Sequence, residues 1–225
     1  MRAAIYFTPP AGSALAQAAA HWLGRNPFDG EPTREPDETR DPLLASPARY
    51  GFHATIVAPF RLNGTSHLED VDARLAEFCA SQTPFEISTA VPRALGAFFA
   101  LVPAEPSAKL QTLEDAAVRA FAPFRAQPTQ AEIARRRPER LTERQRDYLA
   151  EWGYPYVFDE FRFHMTLSGA LPASDAETLR PDLEATFGGF DGQKLAIDQL
   201  AIFVEPEPEA PFRVHSVHRF ETLSS

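Results

Sequence analysis

Hydrophobic and polar positions alternate with period two in FHATIVAPF, residues 52–60. Phe52, Ala54, Ile56, Ala58 and Phe60 fall on one side, and His53 and Thr55 on the other. Successive side chains of a strand point to opposite faces, so this segment reads as a strand with one face in a core. EFRFHMTLS, residues 160–168, repeats the pattern: Phe161, Phe163, Met165 and Leu167 inward, and Arg162, His164, Thr166 and Ser168 outward. Shorter apolar runs predict further strands at 3–8, 85–91, 95–102, 194–204 and 211–220.

Helical periodicity predicts helices over 12–24, 66–81, 107–125 and 174–187. Ser13 is placed to cap the first and Gly24 to end it, and Ser107 opens the third. Thr129 with Glu132, and Thr142 with Gln145, each have capping-box spacing and mark two short helices. Pro138 separates them, and Gly153 stands where a helix C-terminal glycine belongs. Residues 25–49 hold Pro27, Pro32, Pro36, Pro42 and Pro47 among many charges without an apolar period, and read as a long surface loop. EPEPEA, 205–210, reads as a stiff hairpin connection, and ETLSS, 221–225, as a frayed tail.

Aligning the chain on His53 and His164 exposes a duplication. From the first, strands begin about 32 and 45 residues on; from the second, about 31 and 48 on, each time after an intervening helix. Strand–helix–strand–strand thus occurs twice. The predicted fold class is α+β: two pseudo-symmetric lobes of antiparallel sheet, helices outside, and an active cleft between the lobes. The expected organisation is a single two-lobed domain over 1–225, with a first-motif half at about 1–104, a helical insert at about 107–153 and a second-motif half at about 154–225.

Composition narrows the function. The 225 residues are 44% hydrophobic with 18 Phe, enough for a sizeable core. The net charge of −9 argues against a sequence-independent grip on nucleic acid. The charge is unevenly spread: residues 119–146 carry eight Arg against three Glu, so local arginines can still hold a small anion. No apolar run approaches the roughly 20 residues of a membrane span, and MRAAIYFTPP is too short in its apolar part for a signal peptide. The expectation is a cytoplasmic monomer. A single cysteine, Cys79, lies in an amphipathic helical pattern and reads as a small buried hydrophobe.

The outward faces carry the candidate chemistry. Each motif presents an imidazole and a hydroxyl side by side, so two facing lobes put His53, Thr55, His164 and Thr166 into one groove. With an unperturbed imidazole pKa near 6.5, one His can deprotonate a water or ribose hydroxyl while the other protonates a leaving oxygen. The threonines can donate to non-bridging phosphoryl oxygens whose charge grows in the transition state. No metal or other cofactor is implied. Which histidine is acid and which base is left open at this point. Arg162 and Ser168 share the outward face of the second motif; Arg49 and Tyr50 precede the first; Tyr6 opposes Ile5 and Phe7. These five are candidates for substrate binding. His215 and His218 are three apart on a strand and cannot share one ion; His21 and His67 have no partner motif. Arg135–Arg137 reads as a solvated helix end unless the insert folds over the cleft.

Two aromatic–His–x–Thr–aliphatic motifs in pseudo-symmetric halves resemble the two-histidine (2H) phosphoesterase superfamily. That superfamily includes RNA ligase-like enzymes and cyclic nucleotide phosphodiesterases. The phrases AIYFTPP, RYGFHATI, LGAFFALVP and WGYPYVFDEFRFHMTLSG resemble, more narrowly, an uncharacterised family encoded with phosphonate-utilisation (carbon–phosphorus lyase) genes. The resemblance covers essentially the whole chain and implies His53, Thr55, His164 and Thr166 as the catalytic set. The chain departs from that family in having Val57 and Ala170 where a basic residue often stands. The implied activity is a metal-independent phosphodiesterase on a small cyclic or linear phosphodiester, with a phosphoribosyl compound favoured. RNA 2′,3′-cyclic or 2′–5′ end processing is the alternative within the class, and a non-catalytic phosphate-binding module is the alternative outside it.

Overall fold

Eight strands join edge to edge, every pair antiparallel, in the computed structural model, which describes residues 1–221. They are β1 (Arg2–Phe7), β2 (Ala54–Phe60), β3 (Phe85–Leu95), β4 (Phe98–Pro103), β5 (Met165–Thr166), β6 (Lys194–Ile197), β7 (Gln199–Glu205) and β8 (Arg213–Arg219). Their order across the sheet is β6-β3-β4-β5-β2-β1-β7-β8. The two motif strands, β2 and β5, are neighbours at its centre. Each flank therefore draws strands from both halves of the chain: β1, β2, β7 and β8 on one side, β3 to β6 on the other.

The run expected as one strand over 194–204 is broken at Asp198. β6 pairs with β3 at one edge, while β7 pairs with β1 and β8 near the opposite edge. Asp198 alone links β6, at one end of the order, to β7, next to the other end, so the sheet must curl to bring those two strands near each other. The result is a two-lobed α+β half-barrel.

Seven α-helices accompany the sheet among the described residues: α1 (Ala14–Leu23), α2 (Asp41–Tyr50), α3 (Leu68–Ala80), α4 (Ala108–Phe121), α5 (Gln130–Arg135), α6 (Glu143–Trp152) and α7 (Ala173–Phe187). One face of the sheet packs under α1, α3, α4 and α7. Ile5, Phe7, Ile56, Leu101 and Met165 meet Trp22, Leu75, Phe121 and Phe187 there, all buried. Burying one such side chain contributes roughly 1.5–3 kcal/mol. The opposite face carries only a small cluster of Ala4, Tyr6, Ala201, Phe203 and Phe212. Cys79 is buried on α3, and burial pushes its thiol up to about 12.

The capping signals operate as expected. Ser13 accepts from Ala16 N–H, and Gly24 closes α1 at φ 75°. Thr129–Glu132 and Thr142–Gln145 form reciprocal capping boxes, and Gly153 ends α6 at φ 68°. Helix α4, expected within the insert, buries Leu110, Leu113, Val118 and Phe121 in the common core. α5 and α6 add no residue to the buried cluster itself, although Tyr148 and Trp152 of α6 pack against it.

The proline-rich segment 25–49 is not all loop, since α2 occupies its second half. Pro42 sits in the first turn, where a missing N–H costs nothing. Pro47 lies inside the helix and cannot bond Leu43, so that carbonyl accepts from Gly169 N–H at 2.7 Å instead. A Cβ at residue 169 would lie 3.1 Å from the Leu43 oxygen, so the glycine permits the approach. Trp22 Nε1 donates to the Leu167 carbonyl at 2.7 Å. Two helices thus clamp the chain just after the second motif.

Candidate active site

The two motifs adopt the same local structure. His53 Nδ1 donates to the Gly51 carbonyl at 2.8 Å, and His164 Nδ1 donates to the Arg162 carbonyl at 2.7 Å. A carbonyl only accepts, so each ring carries its proton on Nδ1 and leaves Nε2 free. In each motif the ring occupies a carbonyl two residues upstream, and the ladder begins just after the histidine. The second strand accordingly begins at Met165 and not at 160, and it ends at Thr166, short of the nine residues expected at 160–168. A 3-10 turn at Phe158–Glu160 replaces its start.

Ala54 pairs with Met165 across β2 and β5. That register sets Thr55 opposite His164 and His53 opposite Thr166, so the four side chains form a square with like residues on the diagonals. Diagonal neighbours in an antiparallel pair stand roughly 7–8 Å apart at the backbone. Two imidazoles at that spacing leave room for one tetrahedral phosphorus centre between them. Thr55 Oγ1 is 3.4 Å from His53 Nε2.

The two rings differ in their surroundings. Tyr6, opposite Thr55 in the β1–β2 register, stacks on His53 with centroids 3.8 Å apart and planes 20° off parallel. Tyr50 and Phe203 approach the same ring at 5.9 and 6.1 Å. Burial lowers the His53 imidazole to about 4, against a raising effect of the Gly51 carbonyl, and the charge of His164 lowers it further. At neutral pH His53 is therefore a neutral imidazole with a bare Nε2, and a proton on one ring opposes a proton on the other. His164 lies against Phe98 at 5.8 Å and lines a cavity of about 630 Å³.

The five expected binding residues separate. Arg162 is exposed and lines that cavity with Thr55 and His164. Tyr6 is buried under His53 and supports the ring, so it does not line the opening. Tyr50 is half-buried, stacked on Phe212 at 4.9 Å beside the His53 ring. Arg49 turns away from the groove: its guanidinium pairs with the buried carboxylate of Glu205, which also binds Arg2. A buried carboxylate nearby outcompetes an open groove for a guanidinium. Ser168 is buried, accepts from Phe99 N–H at 2.9 Å and donates to the Gly169 carbonyl at 2.9 Å. It closes the backbone after β5 and leaves the groove, because the strand has ended before it.

Sequence reasoning missed the aromatic and polar part of the cavity wall formed by Phe98, Phe161, Tyr154, Tyr156, Gln145 and Glu160. Gln145 donates to Glu160 at 2.9 Å, adding a polar edge to the aromatic part of the lining. The signal for the tyrosines is GYPY: two aromatics around a proline, between a helix-ending glycine and the second motif, where no core periodicity accounts for them. On the far side of the molecule, His218 Nε2 pairs with Asp72 at 2.8 Å, a structural use of that histidine.

The chain is 39% identical over 221 residues to the ribose 1,5-bisphosphate phosphokinase PhnN of Janthinobacterium sp. (strain Marseille), covering 94% of this chain and 49% of the relative. It is 34% identical over 220 residues to the ribose 1,5-bisphosphate phosphokinase PhnN of Laribacter hongkongensis (strain HLHK9), covering 95% and 50%. The chain thus spans about half the length of the curated relatives it matches. Among solved structures, TT0787 of Thermus thermophilus aligns with a TM-score of 0.49 at 14% identity over 100% of both chains. LigT of E. coli complexed with NADP+ aligns with a TM-score of 0.45 at 14% identity over 98% of both. The sequence profile of one family matches residues 55–213, from Thr55 past His164 and Thr166, and the chain belongs to that family, described as "Protein of unknown function (DUF1045)".

Proposed function

We propose that this chain is a two-histidine phosphodiesterase acting on a small cyclic or linear phosphodiester, with a phosphoribosyl compound as the favoured substrate. The observation that carries the reading is the crossed square of His53, Thr55, His164 and Thr166, with each ring held through Nδ1. His53, neutral and backed by Tyr6, is the general base: its Nε2 takes the proton of an attacking water. His164, on the cavity wall, is the general acid: it enters the step as an imidazolium, with Nδ1–H held by the Arg162 carbonyl and a second proton on Nε2, and gives that second proton to the departing oxygen. The P–O bond to that oxygen breaks as the bond to the water oxygen forms. Thr55 and Thr166 donate to the non-bridging oxygens. Each proton transfer contributes typically ~10²–10⁴-fold.

A cavity of about 630 Å³ fits one sugar phosphate or one nucleotide. The two relatives are named for ribose 1,5-bisphosphate, which supports that class. Their kinase activity is not carried over: this chain has no Gly-x-x-x-x-Gly-Lys-Ser/Thr loop. The aromatic walls formed by Phe98, Phe161, Tyr154 and Tyr156 favour a second reading, a nucleotide-bearing cyclic phosphate such as an RNA end.

The test is turnover of a panel of cyclic phosphodiesters in the presence of a chelator. Loss of at least about a hundredfold in both His53→Ala and His164→Ala supports the enzyme. Tight binding without turnover in the unaltered chain would show a binding module and sink the catalytic reading.

A further inference from the structure

The arginine-rich stretch around α5 is not uniformly solvated. Arg135 and Arg137 are exposed, but Arg136 between them is half-buried. Its guanidinium lies 4.8 Å from the centroid of Tyr154. Tyr154 lines the same cavity as Thr55 and His164, so Arg136 packs against a residue of that cavity's wall. Arg125 lies against the neighbouring residue, Gly153. Its Nη2 packs on Gly153, where a Cβ would lie only 2.6 Å away, and its Cζ is 5.7 Å from the Phe60 ring. Arg125 Nη1 is buried and has no hydrogen-bond partner.

Among the described residues, no carboxylate pairs with either guanidinium. Glu132, the acidic residue of α5, is already paired with Arg61. The two charges also feel each other, since burial first and Arg136 second lower Arg125 to about 10. Two neighbouring cations, one with a buried unsatisfied donor, are an unfavourable arrangement unless an anion completes it.

We propose that Arg125 and Arg136 form a second anion site at the α5 end of the cavity, which takes a terminal phosphate of the same molecule whose phosphodiester sits between His53 and His164. The inference rests on the phosphodiesterase reading for that second group, and it narrows the substrate class to a phosphodiester bearing a separate phosphomonoester. Tyr154 then forms the wall between the two anionic ends, against which the sugar or base lies.

The test begins with inorganic phosphate titrated calorimetrically into the full chain carrying His53→Ala and His164→Ala. Phosphate should bind at one site, and affinity should fall about tenfold or more on adding Arg136→Gln or Arg125→Gln. Adding the exposed substitutions Arg135→Gln or Arg140→Gln should leave it unchanged. Arg136→Gln keeps the test sound if loss of the buried Arg125 disturbs folding. Equal losses from all four substitutions would reveal a diffuse basic surface and overturn the site, as would affinity unaffected by Arg136→Gln. With both histidines absent, this outcome is independent of hydrolysis, so its failure is separable from failure of the turnover assay. In the unaltered chain, a cyclic phosphodiester with a terminal phosphate should show a lower KM than its dephosphorylated counterpart. Arg136→Gln should erase that difference while leaving kcat in place; an undiminished preference would overturn the proposal.

Discussion

Tyr6 lies flat against His53, its centroid 3.8 Å from the imidazole, because β1 and β2 pair with Tyr6 beside Thr55. His53 thus has an aromatic floor, with Phe203 and Phe212 packed against Tyr6. Tyr6→Phe keeps that floor and should leave turnover and stability close to those of the unaltered chain. Tyr6→Ala removes a fully buried ring and should cost ~3–5 kcal/mol in urea unfolding. It should also lower kcat more than it raises KM, since a loosened His53 misplaces the base and not the bound substrate. Equal kcat in Tyr6→Ala and the unaltered chain would show that the floor plays no part in catalysis.

The His53 imidazole titrates near 4, against an ordinary value of 6.5. Its folded value is depressed, so the folded state binds fewer protons than the unfolded state between those two pH values. Stability from this group is therefore fully present above about pH 6.5 and is lost as pH falls toward about 4. NMR titration should show one histidine, absent in His53→Gln, still neutral at pH 5. The acid limb of kcat/KM should be displaced downward to match. A His53 resonance shifting with a midpoint near 6.5 would remove the argument that this ring is the base.

Ser168 distinguishes a groove residue from a structural one. Its hydroxyl accepts from Phe99 N–H and donates to the Gly169 carbonyl. Ser168→Ala leaves a buried donor without its acceptor, which costs about 1–3 kcal/mol. Thermal unfolding should record that loss while kcat/KM for any substrate found stays unchanged. Arg162→Ala should do the opposite, weakening KM with little effect on stability. A reversal of these two patterns would return Ser168 to the substrate and take Arg162 from it.

The strand faces were legible because period two is enforced by burial: Phe52, Ala54, Ile56 and Met165 had to face the helices, which left His53, Thr55, His164 and Thr166 on the other side. Caps were legible for a similar local reason, since Thr129 and Thr142 answer to backbone donors three residues away. What was hidden depends on distant partners. Nothing near Arg49 announces Glu205, which lies 156 residues on. Pro47 reads as a helix breaker until Gly169, far along the chain, takes up the carbonyl it frees. The break at Asp198 follows from sheet closure, which no local pattern encodes. Ser168 misled because the alternation was continued one step past the end of the strand.

Glu205 offers the sharpest electrostatic prediction. It is buried, binds Arg2 and Arg49, and accepts from Glu209 N–H at 3.1 Å. Burial alone would raise its carboxyl, but the Arg2 hydrogen bond and the charges of Arg2 and Arg49 outweigh that and hold it below the ordinary value. Its stabilising contribution is thus present above the ordinary carboxylate range and is lost as pH falls through its depressed value. Arg49 is followed by Tyr50 and Gly51, whose carbonyl orients His53, so the carboxylate also anchors the approach to the first motif. Glu205→Gln leaves two arginines facing a neutral amide and should destabilise the fold by ~3–5 kcal/mol at pH 7. Urea unfolding at pH 7 and at pH 3 should show the gap between variant and parent shrinking at the lower pH, where the parent carboxylate begins to protonate. A gap of the same size at both values would mean that hydrogen-bond geometry, and not charge, is what Glu205 contributes.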